Sequence, residues 1–164
     1  MAETVVTDGT GPGDTPRGDI VRKGVRLGVD VGTVRVGVAV SDPDGILATP
    51  VDTLARDMEA SSDLDALVAL VAERQVVEVA VGLPRTLRGA DGASAQAARQ
   101  YAAALAARIA PVPVVLVDER LTSVHANRVL AERRVPGRAR RAVVDQLAAV
   151  GILQSRLDEI RARG

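Results

Sequence analysis

The pattern of apolar and polar positions places short strands first and helices later. Val25 to Val31 reads as a first strand, Gly32-Thr33 is a turn signal, and Val34 to Val40 alternates into a second strand. Together these predict an antiparallel hairpin. A third strand is predicted over Ile46 to Leu54, broken by Pro50 in a way that suits a sheet edge. The period then changes. Ser61 and Ser62 are good N-caps for a helix from about Asp63 to Arg74, in which Leu64, Leu67, Val68 and Val71 recur at helical spacing. Val76 to Val81 reads as a buried strand, and residues 82–92 as a loop with turn signals at Leu83-Pro84 and Asp91-Gly92. Ala93 to Ile109 is an Ala-rich helix ended by Pro111 and Pro113, and Val114 to Val117 is a further buried strand. Thr122 or Ser123 caps a helix running to about Arg133, residues 134–141 form an Arg-rich loop around Pro136-Gly137, and Ala142 to Arg161 is the last helix.

Three strands in a meander are thus followed by helix–strand, helix–strand, helix, helix. Right-handed crossovers turn that order into a mixed five-stranded sheet, three strands antiparallel and two parallel, with helices on both faces. This is the ribonuclease H-like α/β arrangement, predicted as one domain over residues 24–164. Residues 1–23, rich in Gly, Pro, Thr and Asp, read as a flexible N-terminal tail.

Composition narrows the chemistry. The only aromatic residue is Tyr101, read as a helix packing residue, so the core must be built from Val, Leu, Ile and Ala. The usual stacking platform for single-stranded bases is absent. With no Cys, disulfides, Cys-ligated zinc, iron–sulfur clusters and thiol catalysis are excluded, and one His, His125, cannot build a His-rich metal site. No apolar run approaches the ~20 residues of a membrane span. The N-terminus lacks the order of a signal peptide, so the expected compartment is the cytoplasm, with no membrane partner. Net charge is zero, which argues against coating nucleic acid by bulk charge. The distribution is uneven, however: residues 1–82 carry 14 acidic and 7 basic side chains, and residues 83–164 carry the reverse. That asymmetry suggests an anionic partner for the second half.

Three carboxylates stand out. Asp30 lies among apolar neighbours in a predicted central strand, within Asp30-Val31-Gly32-Thr33-Val34-Arg35-Val36-Gly37. A buried carboxylate there calls for a metal or a basic partner, and Gly32 would let backbone approach a phosphate; alternatively, the Asp caps its own hairpin turn. Asp118-Glu119-Arg120-Leu121-Thr122 follows a buried strand at its carboxyl end, where open α/β sheets place their sites. Adjacent strand residues point to opposite sides, so only one of Asp118 and Glu119 can join a given cluster, and an acidic pair capping the next helix is equally compatible with the pattern. Asp145 shares a helix face with Ala148, Ala149 and Ile152, a small apolar stripe that would pack close to a sheet. Three converging carboxylates repel by roughly 1–4 kcal/mol per pair at surface-like dielectric, and a hard cation offsets this. Mg²⁺ or Mn²⁺ suits such an all-oxygen site, and a pair of such ions hydrolyses phosphodiesters.

The fourth feature is basic. From Arg120 to Arg141 there are seven Arg and one acidic residue, Glu132. Arg133, Arg134, Arg138, Arg140 and Arg141 flank or occupy the loop before Asp145, and Arg forks suit phosphate. A solvated loop would give the same run. Arg85 and Arg88 extend the patch, and His125 reads as a helix-surface residue.

The chain resembles the YqgF (RuvX) family of ribonuclease H-like proteins, known as pre-16S ribosomal RNA nucleases or Holliday-junction-resolvase-like proteins. The resemblance covers about residues 25–160. It rests on Asp30-x-Gly32-Thr33-x-Arg35-x-Gly37, Val81-Gly82-Leu83-Pro84, Asp118-Glu119-Arg120-Leu121-Thr122 and Asp145-Gln146-x-Ala148-Ala149. It implies a divalent-metal-dependent nuclease with Asp30, Glu119 and Asp145 as catalytic, metal-holding residues and Mg²⁺ or Mn²⁺ as cofactor. It also implies maturation of the 5′ end of 16S ribosomal RNA, with branched DNA as the alternative substrate. The expected phosphate contacts are Arg35, Arg85, Arg120, Arg138, Arg140 and Arg141, and the expected assembly is a monomer or homodimer. A catalytically silent nucleic-acid-binding module is a competing class. An actin-like ATPase, where Asp-x-Gly-Thr also cradles phosphate, would need the fold twice.

Overall fold

The computed structural model describes residues 2–5, 22–85, 91–119 and 137–164, with the backbone alone at 137–142. The expected helix after Thr122 lies outside the described residues. So do His125, Arg88, Arg120, Arg133 and Arg134 and residues 6–21 of the predicted tail.

β1 is Glu3–Val5, β2 Arg26–Val31, β3 Arg35–Ser41, β4 Ala48–Ala55, β5 Glu78–Leu83 and β6 Val114–Asp118. The helices among the described residues are α1 (Ser62–Glu73), α2 (Ala93–Ile109) and α3 (Gly137–Arg163). The sheet order is β1-β6-β5-β2-β3-β4. β2, β3 and β4 pair antiparallel, whereas β5 joins β2 and β6 joins β5 in parallel. Pro50 sits in the edge strand β4, opposite a register shift at Val38/Ala39, where a missing donor disturbs little.

Among the described residues the sheet has six strands rather than the expected five. The sixth is β1, antiparallel to the outer edge of β6. Its three residues are too few for alternation to register in the sequence, and only the waiting edge of β6 defines them. Ion pairing reinforces it, as Arg99 on α2 donates to Glu3 at 2.8 Å.

Alternation along the strands splits the core. One face carries Leu27, Val29, Val79, Val81 and Leu116 under Leu64, Leu67 and Val71 of α1 and Leu105 and Ile109 of α2. Tyr101 belongs here as well: its hydroxyl donates to Asp63 at 3.0 Å, and the Arg56 guanidinium lies 4.8 Å from its ring centroid. Burial and the Asp63 carboxylate push its phenol above the usual range. The other face is shallower. Ala39, Ala80, Val115 and Val117 meet Ala148, Ala149, Ile152, Leu153 and Leu157 of α3.

α1 is capped differently from expectation. Ser61 holds the N-cap position in a left-handed conformation (φ 58) and makes no side-chain cap. Asp57 does the capping instead, accepting from the amides of Glu59, Ala60 and Ser62 and from the Ser62 hydroxyl at 2.7 Å. Those bonds, the Ala60 amide foremost, hold its carboxyl at about 2. A lowered folded value stabilises above the ordinary value near 3.8 and loses that contribution as pH falls through about 2. Asp57→Ala is therefore expected to lower the thermal midpoint by a few degrees at neutral pH. The gap to wild type should close as melts are repeated from pH 5 down to pH 2.

Candidate active site

Three parallel strands, β2, β5 and β6, end at the same edge of the sheet. Asp30 is the penultimate residue of β2, 6% exposed, and pairs across the hairpin with Gly37 of β3. Two residues earlier, Gly28 packs against α3, so alternation puts Asp30 on the α3 face. α3 crosses directly above: a Cβ on Gly37 would collide with the main-chain carbonyl of Asp145. Asp145 therefore sits over the Asp30–Gly37 pair, delivered by the small stripe of Ala148, Ala149 and Ile152, all fully buried.

Glu119 follows β6. Val115 and Val117 face α3, so alternation sends Glu119 to that face and Asp118 to the other. A Cβ on Gly82 of β5 would lie 2.5 Å from Glu119 Oε1, so the Glu119 side chain lies across this glycine. Val29 pairs with Val81 and Gly82 with Val117, which places Gly82 between Asp30 and the end of β6. Two strand spacings, about 10 Å of backbone, are narrowed by a glutamate reaching over a residue with no side chain. Asp30, Glu119 and Asp145 thus share one face and one end of the sheet.

Arg35, at the start of β3, donates through Nε to Asp145 Oδ2 at 2.8 Å, with both side chains partly exposed. Among the described residues, no three His, Cys, Asp or Glu side chains are grouped so as to hold a metal ion.

The remaining basic candidates separate. Arg85 donates to Asp91 at 2.9 Å and lies 3.7 Å from Asp118 Oδ2. Asp91 also accepts from Arg99, and the two guanidiniums, Arg85 first, lower its carboxyl below the usual range. Arg85 is engaged with acid groups. Arg138, Arg140 and Arg141 lie not in a loop but in the first turns of α3, which begins at Gly137, five residues before its expected start. Gly137, expected in the loop, is the first described residue of this helix. Gly32 is used by the hairpin: its amide donates to the Arg35 carbonyl at 2.8 Å, and its own carbonyl accepts from Arg56 at 2.9 Å. Its amide is thus engaged by the turn.

Sequence reasoning missed Gly82 as part of the site floor. An isolated glycine in an apolar strand was the available signal, as it marks close approach by another group.

A family model described as RuvX, Holliday junction resolvase, matches residues 24–159. The chain belongs to the RuvX family. Three similar curated relatives carry the name "Putative pre-16S rRNA nuclease". The first, from Frankia casuarinae, is 63% identical over 84% of this chain and 68% of its own length. The second, from Mycobacteroides abscessus, is 54% identical over 92% and 91%. The third, from Mycolicibacterium smegmatis, is 57% identical over 91% and 89%. Among solved structures, T. thermophilus RuvC in complex with Holliday junction substrate superposes with a TM-score of 0.51 at 17% identity, covering 84% of this chain and 96% of that one. The likeness supports the ribonuclease H-like fold for this RuvX family member. No helix among its described residues is long and apolar enough to cross a membrane.

Proposed function

We propose that this RuvX family member is a divalent-metal-dependent nuclease that trims the 5′ end of precursor 16S ribosomal RNA in the cytoplasm. One observation carries the reading: Asp30, Glu119 and Asp145 share one face of the sheet at the carboxyl ends of its parallel strands, over Gly37 and Gly82. The names of its relatives point the same way.

By donor type the three carboxylates suit Mg²⁺ or Mn²⁺, being hard oxygens without sulfur or imidazole; as they stand they are not grouped into a metal-holding cluster, and a bound ion would draw them together. Asp30, Glu119 and Asp145 would hold the metal. Bound there, it would activate water and stabilise the leaving oxygen. Asp30 supplies a carboxylate fixed in a buried strand. Glu119 reaches in across Gly82, and Asp145 comes from above on a rigid helix. Arg138, Arg140 and Arg141 supply positive charge on the opening turns of the same helix, where phosphate contacts would position the scissile strand beside the carboxylates.

Precursor 16S RNA and a synthetic four-way DNA junction, each incubated with the protein and Mg²⁺ or Mn²⁺, test the assignment. Trimming of the RNA is expected, whereas cleavage of the junction alone would overturn it in favour of branched DNA, the reading favoured by the family description. Binding without cleavage of either would favour a silent binding module. Neutralising Arg138, Arg140 and Arg141 together to Gln is expected to weaken nucleic-acid binding and to flatten its salt dependence by up to about three in log–log slope. An unchanged slope in titrations from low to moderate salt would contradict the phosphate role.

A further inference from the structure

The contact between Arg35 and Asp145 joins residues 110 positions apart, one at the base of a hairpin and one on the helix lying over it. It has two consequences. It supplies a positive charge where three carboxylates share one end of the sheet, and it occupies one of the two oxygens Asp145 could offer to a cation. Arg35 Nε makes a charge-assisted hydrogen bond, shorter and stronger than a neutral one. Its side chain is one-third exposed and that of Asp145 about one-fifth, so the guanidinium has room to leave toward solvent. A fully buried pair would be locked in place by the cost of stranding its charges.

We propose that Arg35 is the internal counter-cation of this site. It holds Asp145 while no divalent ion is bound and releases it when one binds, so the freed guanidinium faces the phosphate of the incoming strand. Arg35 is thus a positioning residue whose partner changes with metal occupancy. The inference rests on the metal-site reading above. Linkage fixes its signature: an interaction present only in the metal-free state stabilises that state and weakens metal binding by the same factor.

Mn²⁺ titration by calorimetry, with thermal melts in EDTA and in saturating Mn²⁺, tests both levels. Arg35→Gln is expected to bind Mn²⁺ about 1.5- to 5-fold more tightly than wild type, the range of a partly exposed ion pair. It should melt lower than wild type in EDTA and alongside wild type in saturating Mn²⁺. Arg35→Lys, which keeps the charge but not the Nε–H donor, should fall between. Mn²⁺ affinity in Arg35→Gln equal to or weaker than wild type would overturn the counter-cation role while leaving the metal site standing, and so would a stability loss of the same size in EDTA and in Mn²⁺. If wild type takes up no Mn²⁺, or if Asp30→Asn binds it as well as wild type, the metal-site reading fails and the inference falls with it.

Discussion

Asp30→Asn is expected to reduce cleavage of precursor 16S RNA by roughly 10³-fold or more, with binding of that RNA changed by less than about threefold. The asymmetry follows from what the side chain does. Asp30 is buried in the second-to-last position of β2, on a different element from the α3 arginines proposed to meet phosphate. Asn keeps its shape but removes the charge that a metal needs. On the proposed metal-site reading several kcal/mol of transition-state stabilisation would depend on that ion, and each 1.36 kcal/mol is tenfold in rate. Single-turnover cleavage with saturating enzyme separates the chemical step from binding, and a filter-binding titration reads binding itself. Cleavage within tenfold of wild type, in protein with an unchanged circular dichroism spectrum, would remove Asp30 from the reaction.

Gly37→Val is expected to cost about 3 kcal/mol or more of stability and to abolish activity with it. The position tolerates no Cβ, as it would overlap the main-chain carbonyl of Asp145. A flexible side chain could swing aside, but a helix backbone can yield only by lifting α3 from the sheet. Gly28, whose Cβ would meet Leu153 at 2.6 Å and the Ala149 carbonyl at 2.7 Å, makes the same contact one turn further along. Lifting α3 would also withdraw Asp145 from above Asp30. Denaturant unfolding measures the loss. Gly92→Ala is the control for an added Cβ that meets nothing within 4 Å, and it should cost only about 1 kcal/mol, the loss of Gly at the N-cap of α2. If Gly37→Val and Gly92→Ala were equally mild, the tight seat of α3 would be refuted.

Much of this arrangement was legible in the sequence, because hydrophobic period is a local property. The β2–β3 hairpin, the edge position of the Pro50 strand and the helix over Ala93–Ile109 follow from it. So does the buried stripe beside Asp145, since apolar residues three, four and seven positions on must face the same way. Glu119 rather than Asp118 faces α3 because strand side chains alternate. The cap of α1 is not legible in the sequence, as a serine in the right place is a weaker signal than a loop that folds Asp57 back onto three amides.

What the sequence by itself determined is the order of the main strands and helices, the apolar stripe beside Asp145 and the rule that Asp118 and Glu119 face opposite ways, since these depend on spacings of one to seven residues along one strand or helix. Tertiary structure decided the rest. Only packing brings the Asp145 carbonyl onto Gly37 and lays Glu119 across Gly82. Only packing sets Arg35 against Asp145 and provides the β6 edge that makes a strand of Glu3–Val5. These contacts join residues far apart in the chain, whose geometry no local period encodes. They settle how closely α3 approaches the sheet and which charge stands beside Asp145.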